Sequence, residues 1–179
     1  QYLGFHFQDN RWMLKAPVHL ACLADLFKIY PDAVILHMHR DPVHSVPSMC
    51  SLASISRSLL SDGTDLTVIP KQWSDLMQKI INHSIEQRSN FNEDQFFDIP
   101  YNHLVKDPLG TVEWIYKRIG MECSNDLKIG MKSWLEKSNT RRKKNPHFYS
   151  MDQFGLDEKS IQKKFSNYYD RYGEFINAT

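Results

Sequence analysis

The apolar residues that follow Pro17 predict a helix and then a strand. They recur at the i, i+3, i+4, i+7 spacing of one helix face, at Leu20, Leu23, Ala24 and Phe27. Pro17 suits the first turn of this helix, because the N–H that proline lacks has no partner there. Tyr30-Pro31 ends the helix, since proline disfavours helical geometry in the residue before it. The apolar run 33–38 then predicts a short buried strand.

The segment 11–15 is predicted as another short strand, placed just before this helix. Strand, helix and strand within about 30 residues indicate a βαβ unit with parallel strands and a right-handed connection.

The rest of the chain continues the alternation of helices and strands. Asp41 is a favourable N-cap and Pro42 a favourable first residue for a helix that we expect to reach about Leu60. The pattern further predicts helices at 70–89, 108–119, 125–137 and 157–172, a strand at 95–99 and a basic loop at 138–150. The alternation indicates an α/β fold in one domain, residues 1–179. Only three strands are predicted, so we expect part of the sheet to precede Gln1.

Composition narrows the class of protein. The 179 residues carry 22 Lys and Arg against 21 Asp and Glu, which argues against a globally basic nucleic-acid binder. A hydrophobic share of 41% indicates a folded globule, and the sequence contains no apolar run long enough to span a bilayer. Three dispersed cysteines fit reduced thiols better than a disulfide framework or a zinc site. They favour the cytoplasm, although the Golgi lumen fits if a membrane anchor is missing.

Charged residues stand at the predicted strand ends, where open α/β sheets bind ligands. Lys15 and Arg40 each precede a helix start, and the segment 98–101 follows the strand at 95–99. A cation beside a helix N-terminus makes a site for a phosphate or sulfate ester. The alternative is that both cations are ordinary solvated residues.

Two further side chains could join such a site. Ser48 lies nearly two turns beyond Pro42, from where its hydroxyl could reach a ligand of Arg40. His19 lies one turn from Lys15 and could accept a proton from a substrate hydroxyl. The alternatives are that Ser48 is a solvated serine and that the ring of His19 is simply hydrogen-bonded at the start of the helix.

Two other clusters of side chains are candidate binding sites. His37, His39 and His44 resemble a metal cluster, but no carboxylate or thiol has matching spacing, so no metal is predicted. A basic run could bind an anion, act as a nuclear-localisation signal or be a solvated loop; it consists of Arg141, Arg142, Lys143 and Lys144.

Several motifs, taken in order along the chain, resemble the sulfotransferase superfamily, in the branch with K-x-P-x-H and H-R-D-P elements. They stand at 11–20, 30–33, 39–42, 46–48, 101–108 and 147–156, with Tyr168 and Tyr172 near the end. The resemblance implies a P-loop nucleotide-kinase-like parallel sheet flanked by helices. It also implies transfer of a sulfuryl group from 3′-phosphoadenosine 5′-phosphosulfate to the hydroxyl or amine of a small molecule or glycan, without a metal or nucleic acid.

The resemblance also implies roles for individual residues. Arg40 and Ser48 correspond to residues that hold the 3′-phosphate of the donor, and Tyr101 to a residue close to the adenine. Lys15 matches a lysine that stabilises charge on the leaving phosphate, and His19 is the best candidate for the base. The basic run, residues Arg141, Arg142, Lys143 and Lys144, falls where the family closes a cationic lid over the 3′-phosphate.

The chain departs from the family at the loop that binds the 5′-phosphosulfate. That loop is rich in glycine, whereas the seven glycines of this sequence are dispersed. We therefore expect this chain to be the C-terminal part of a sulfotransferase, incomplete at its N-terminus. A fragment of this kind could be inactive on its own. The alternatives are a non-catalytic nucleotide-binding or scaffold protein of the same fold, or a small-molecule kinase.

Overall fold

A computed structural model describes residues 11–60, 65, 67–144 and 148–178 of the chain, with the backbone alone at 141–144. Two strands are present in the described residues, β1 (Ile35–His39) and β2 (Phe96–Pro100). The α-helices are α1 (Leu23–Ile29), α2 (Pro42–Ser58), α3 (Val68–Arg88), α4 (Tyr101–Lys106), α5 (Pro108–Arg118), α6 (Asn125–Lys144), α7 (Glu158–Lys164) and α8 (Ser166–Ile176). Short 3₁₀ helices occupy Pro17–Cys22, Glu93–Gln95 and Asp152–Phe154.

The sheet confirms two of the three predicted strands. β1 and β2 pair in parallel, with Ile35 opposite Phe96 and His39 opposite Pro100. Their carboxyl ends therefore meet at one edge, where Arg40 and Tyr101 follow directly in the chain. The connection between them passes through α2 and α3.

The predicted strand at 11–15 is wrong. The structure has irregular, exposed chain there, and the Arg11 guanidinium donates to the carbonyl of Ile119 at 3.2 Å. A segment becomes a strand only when a neighbouring strand supplies the ladder of hydrogen bonds. In the described part of the chain, β1 pairs with β2 and the segment 11–15 has no strand partner. The predicted βαβ unit is therefore replaced by the β1–β2 crossover.

Helices α2 and α5 begin where the sequence predicts. Asp41 caps α2 by accepting the N–H of Val43 at 2.8 Å, and Asp107 caps α5 by accepting the N–H of Gly110 at 2.9 Å. Gly120, just beyond α5, has φ +70°, a conformation that favours glycine. The 3₁₀ turn and α1 together replace the single helix predicted after Pro17, and they bury Leu23 and Phe27 of its apolar face.

The C-terminal part departs from the prediction in two ways. Helix α6 continues to Lys144, so the first half of the predicted loop 138–150 is helical. Residues with long straight side chains favour a helix there, and the next proline along the chain is Pro146. The single predicted last helix is divided into α7 and α8 at Phe165, whose φ/ψ of −102°/21° leaves the helical region. No proline or glycine lies between 157 and 172, so the sequence gives no sign of this break.

The larger hydrophobic core lies between α2, α3, α7 and α8. Its buried residues include Val46, Cys50, Ile69, Phe165 and Tyr172. A smaller cluster of Leu23, Phe27 and Phe96 joins α1 to β2. Among the described helices, none combines the length and the apolar character that crossing a bilayer requires. The larger core thus fixes α2 and α8 around the carboxyl end of β1, where the candidate site lies.

Candidate anion site and buried histidine network

Arg40 occupies the junction between β1 and α2. His39 ends the strand, Asp41 caps the helix, and the half-buried Arg40 lies between them. Its guanidinium carbon lies 4.8 Å from the centre of the Tyr101 ring, and Tyr101 is the first residue after β2. A cation over an aromatic face is attracted by the ring quadrupole, so this contact holds Arg40 at the sheet edge.

Ser48 and Tyr149 complete a polar cluster with Arg40. The Tyr149 hydroxyl accepts hydrogen bonds from the Ser48 hydroxyl and from the Arg40 guanidinium. The bond from Ser48, opposed by partial burial and assisted by Arg40, lowers the pKa of Tyr149. The structure therefore brings Arg40, Ser48 and Tyr101 together, as the motif order predicts, and adds a phenol oxygen between the two proposed phosphate ligands.

Tyr149 is the member of this cluster that sequence reasoning missed. It lies 101 residues beyond Ser48 in the chain, in the segment between α6 and the 3₁₀ helix Asp152–Phe154. Its only signal in the sequence is its place within the motif 147–156.

The other predicted site residues have no described bond to this cluster. Lys15 is exposed in the irregular segment before Pro17, and His19 is half-buried in the 3₁₀ turn Pro17–Cys22. Within the described residues, no hydrogen bond or ion pair joins Lys15 or His19 to Arg40. The basic run Arg141, Arg142, Lys143 and Lys144 forms the last turn of α6, and its side chains lie outside the described part of the chain.

Behind Arg40, a buried network of hydrogen bonds centres on His39, which is 1% exposed. His39 Nε2 lies 2.7 Å from Asp98 Oδ1, and His39 Nδ1 lies 2.9 Å from the Tyr168 hydroxyl. The Arg88 guanidinium donates to both Asp98 oxygens, at 2.8 and 2.6 Å. Because an ionised carboxylate only accepts, His39 donates to Asp98 from Nε2.

Asp98 is the charged centre of this network. Burial would raise the pKa of its carboxyl, but hydrogen bonds from His39 and Arg88 outweigh burial and hold the pKa well below its usual value. Asp98 is therefore ionised at neutral pH, and Arg88 balances its charge in the interior.

His37, His39 and Asp98 bring together the donors of a possible metal site. Their ligand atoms lie within 4.8 Å of one another, and Asp98 supplies the carboxylate that the sequence spacing lacked. Both oxygens of Asp98 already bind Arg88, so a metal ion would lie against a guanidinium. These charges favour the ion pair of Asp98 with Arg88 over a bound metal ion. That the protein uses no metal stays a prediction.

Comparison with known proteins identifies the family. Residues 2–125 match the sequence profile described as the Sulfotransferase family, which covers more than half of the chain. The chain belongs to the sulfotransferase family. Arg40, Ser48 and Tyr101 all lie within the matched range, whereas Tyr149 and α8 lie beyond it.

Individual sulfotransferases are similar to this chain in sequence. The omega-hydroxy-beta-dihydromenaquinone-9 sulfotransferase Stf3 of Mycobacterium bovis is 28% identical over 120 residues, which cover 62% of this chain and 30% of that protein. Its counterpart in Mycobacterium tuberculosis shows the same identity and coverage.

Solved sulfotransferase structures share the fold. The crystal structure of sulfotransferase STF9 from Mycobacterium avium has a TM-score of 0.77 and 25% identity, covering 90% of this chain and 42% of that one. That of STF1 from Mycobacterium tuberculosis has a TM-score of 0.73 and 28% identity, covering 92% and 41%. These similarities confirm the predicted α/β, P-loop nucleotide-kinase-like fold. The sulfotransferase chain described here spans less than half the length of each of these relatives.

Proposed function

We propose that this chain forms the 3′-phosphate-binding part of a sulfotransferase active site, with 3′-phosphoadenosine 5′-phosphosulfate as the donor. The meeting of Arg40 and Ser48 at one oxygen, that of Tyr149, carries the proposal. A guanidinium and a hydroxyl that already donate to one neutral oxygen are arranged to donate to a phosphate oxygen as well. The dianionic phosphate binds them more strongly than a neutral phenol, because charge-assisted hydrogen bonds are about twice as strong.

The neighbouring groups fit the rest of the nucleotide. Tyr101 offers an aromatic ring beside Arg40 for the adenine end of the donor. The run Arg141, Arg142, Lys143 and Lys144 is proposed as a cationic lid over the 3′-phosphate. Its place at the C-terminus of α6 is favourable, since cations complement the partial negative charge of the last helical carbonyls.

Lys15 and His19 are proposed to act at the reacting end. His19 takes the proton from the acceptor hydroxyl or amine while the acceptor attacks the sulfur in line. Lys15 stabilises the negative charge that grows on the bridging oxygen as the bond from sulfur to that oxygen breaks. As in phosphoryl transfer, alignment and charge stabilisation supply most of the catalysis, and these residues need no metal for it.

We further propose that residues 1–179 form a sulfotransferase domain without its phosphosulfate-binding loop. The seven glycines of the sequence are dispersed and none belongs to a Gly-rich loop. Binding of the 5′ end of the donor, and hence turnover, then requires a loop supplied from outside this sequence.

The acceptor is proposed as a small molecule or glycan with a hydroxyl or amine. The curated relative named above acts on omega-hydroxy-beta-dihydromenaquinone-9. A terminal hydroxyl of that kind would suit the proposed His19 base. The cytoplasm, with the Golgi lumen as the alternative, stays a prediction from the dispersed cysteines.

The decisive experiment is titration calorimetry of the chain with adenosine 3′,5′-bisphosphate. Arg40→Ala removes a charge-assisted contact worth about 1.5–3 kcal/mol, so we expect about 10- to 150-fold weaker binding. Arg57→Ala, which removes the same charge from the last turn of α2, serves as the matched control and keeps the affinity.

A second ligand localises the effect. Adenosine 5′-monophosphate lacks the 3′-phosphate, so its affinity stays the same in Arg40→Ala. Equal loss for both ligands, or no loss for either, would show that Arg40 does not bind the 3′-phosphate. In thermal-shift assays, stabilisation by ATP but not by the bisphosphate would favour the small-molecule kinase, and no response to either would favour the scaffold protein.

A further inference from the structure

Two consecutive tyrosines of α8 hold the two residues that flank Arg40. The Tyr168 hydroxyl lies 2.9 Å from His39 Nδ1, and the Tyr169 hydroxyl donates to Asp41 Oδ1. His39 and Asp41 are the residues immediately before and after Arg40. The two phenols therefore form hydrogen bonds on both sides of the β1–α2 junction, while the Arg40 side chain contacts Tyr101 and Tyr149.

The backbone of the junction lies beside the same two phenols. Burial raises the pKa of both tyrosines, and the backbone of Arg40 beside Tyr168 and that of Val43 beside Tyr169 partly oppose this shift. The Val43 N–H itself donates to Asp41 Oδ1, the oxygen to which the Tyr169 hydroxyl donates. The two phenols therefore contact the chain on both sides of Arg40, and neither contact involves the Arg40 side chain.

The His39 side of this arrangement has a rigid backing. Its imidazole binds Asp98 through Nε2, and Arg88 binds both oxygens of Asp98. Rotating the ring to release Tyr168 would break the bond to Asp98 as well. An unpaired polar group in so buried a place is costly, so the ring is held in one orientation.

We propose that Tyr168 and Tyr169 are positioning residues for the anion-binding Arg40. This rests on the proposed function, in which Arg40 binds the 3′-phosphate of the donor. The two hydroxyls hold His39 and Asp41, the residues on both sides of Arg40, so that its guanidinium is aimed at the phosphate before the nucleotide binds. Preorganisation of this kind raises affinity because less conformational freedom is lost on binding.

The test is calorimetry with adenosine 3′,5′-bisphosphate on Tyr168→Phe and Tyr169→Phe, each made in the wild-type and in the Arg40→Ala background. Each substitution keeps the aromatic ring in the core and removes only the hydroxyl. We expect each to weaken binding about 3- to 10-fold in the wild-type background, the scale of one hydrogen bond. In the Arg40→Ala background, neither adds a further loss, because no guanidinium is left to position.

Ile176→Val is the matched control for stability. Ile176 is buried in the same helix, so this change also loosens its packing but leaves both hydroxyls in place. It lowers the melting temperature without changing the affinity. A loss of affinity in Ile176→Val equal to that in the tyrosine variants would assign the effect to helix stability and overturn the proposal.

The remaining outcomes separate the two proposals. Unchanged affinity in both tyrosine variants, or an equal fold loss with and without Arg40, overturns the positioning role while Arg40→Ala still reports phosphate binding. Unchanged affinity in Arg40→Ala overturns the proposed function, and the positioning role with it.

Discussion

His37 and His39 are two residues apart on β1 and lie in the interior beside the same carboxylate. Their ring centres are 4.1 Å apart, and His37 Nδ1 lies 3.8 Å from Asp98 Oδ1. Because His39 and Arg88 already bind that carboxylate, His37 receives little compensation for its burial. Burial, together with repulsion from His39, lowers the pKa of His37 to about 3. The interior therefore accepts His37 only in its neutral form.

His37 makes the stability of the fold depend on pH. In the unfolded chain its pKa is about 6.5, so between that pH and about 3 the unfolded state binds more protons than the folded state. The contribution to stability is full above the unfolded pKa and is lost as the pH falls. Between roughly pH 7 and roughly pH 5 the expected loss is about 2 kcal/mol.

Urea unfolding at these two pH values measures this dependence. His37→Gln should remove most of the pH dependence, whereas His44→Gln, which removes an exposed histidine one turn into α2, should keep it. If the free energy of unfolding of His37→Gln changes between the two pH values as much as that of the wild type, another group is responsible. Both pH values lie above the ordinary range of carboxyl groups, so Asp98 does not contribute.

At the scale of elements, a single capping residue can fix the start of a helix, and in α5 the cap leaves no room for a neighbouring side chain. Asp107 caps the helix through the N–H of Gly110, and a Cβ at position 110 would overlap the Asp107 carboxylate. The absence of a side chain at this position is therefore a requirement of the cap. Gly130 in α6 has no atom within 4 Å of a built Cβ, so its surroundings impose no such requirement.

The two glycines give opposite predictions for the same substitution. Gly130→Ala should stabilise the fold by about 0.5–1 kcal/mol, because alanine loses less conformational freedom in a helix. Gly110→Ala should destabilise it by about 1 kcal/mol, since displacing the Asp107 cap outweighs the gain in helix propensity. Denaturant midpoints of both variants decide the matter, and a midpoint for Gly110→Ala above that of the wild type would contradict the steric argument.

At the scale of the whole molecule, the candidate site is assembled from distant parts of the chain. Arg40 follows β1, Tyr101 follows β2, and Tyr149 comes from the segment after α6. His19 lies in a 3₁₀ turn that packs against α3. Donor binding and proton transfer are thus assigned to different elements of the fold. A substitution in one of them should therefore leave the other function intact.

His19→Ala tests that separation in a protein that carries this chain together with a Gly-rich phosphate loop. Loss of a general base should lower turnover about 10²- to 10⁴-fold. Affinity for adenosine 3′,5′-bisphosphate should stay close to that of the wild type. Steady-state kinetics and calorimetry on the same variant give the two readings, and a parallel loss of nucleotide affinity would make His19 a binding residue instead.

The sequence predicted the helices, two of the strands and the meeting of Arg40 with Ser48 and Tyr101 better than it predicted their surroundings. Asp41-Pro42 and Asp107-Pro108 marked two helix starts correctly, because caps act within a few residues. The strand at 11–15 failed because a strand depends on its partner. The break at Phe165 also escaped prediction, since no local residue type requires it and the residue is buried in the core.

By itself, the sequence determined the α/β class, the main helices and the placement of Arg40 and Ser48 after β1. Those features follow from spacing and capping over a few turns. Tertiary structure alone decided that Asp98, 59 residues from His39, ionises beside it, and that Tyr168, 129 residues away, binds its other nitrogen. It also decided that Tyr149 meets Arg40 and Ser48. Such contacts depend on how elements pack around a shared core, and packing joins residues whose separation along the chain carries no local signal.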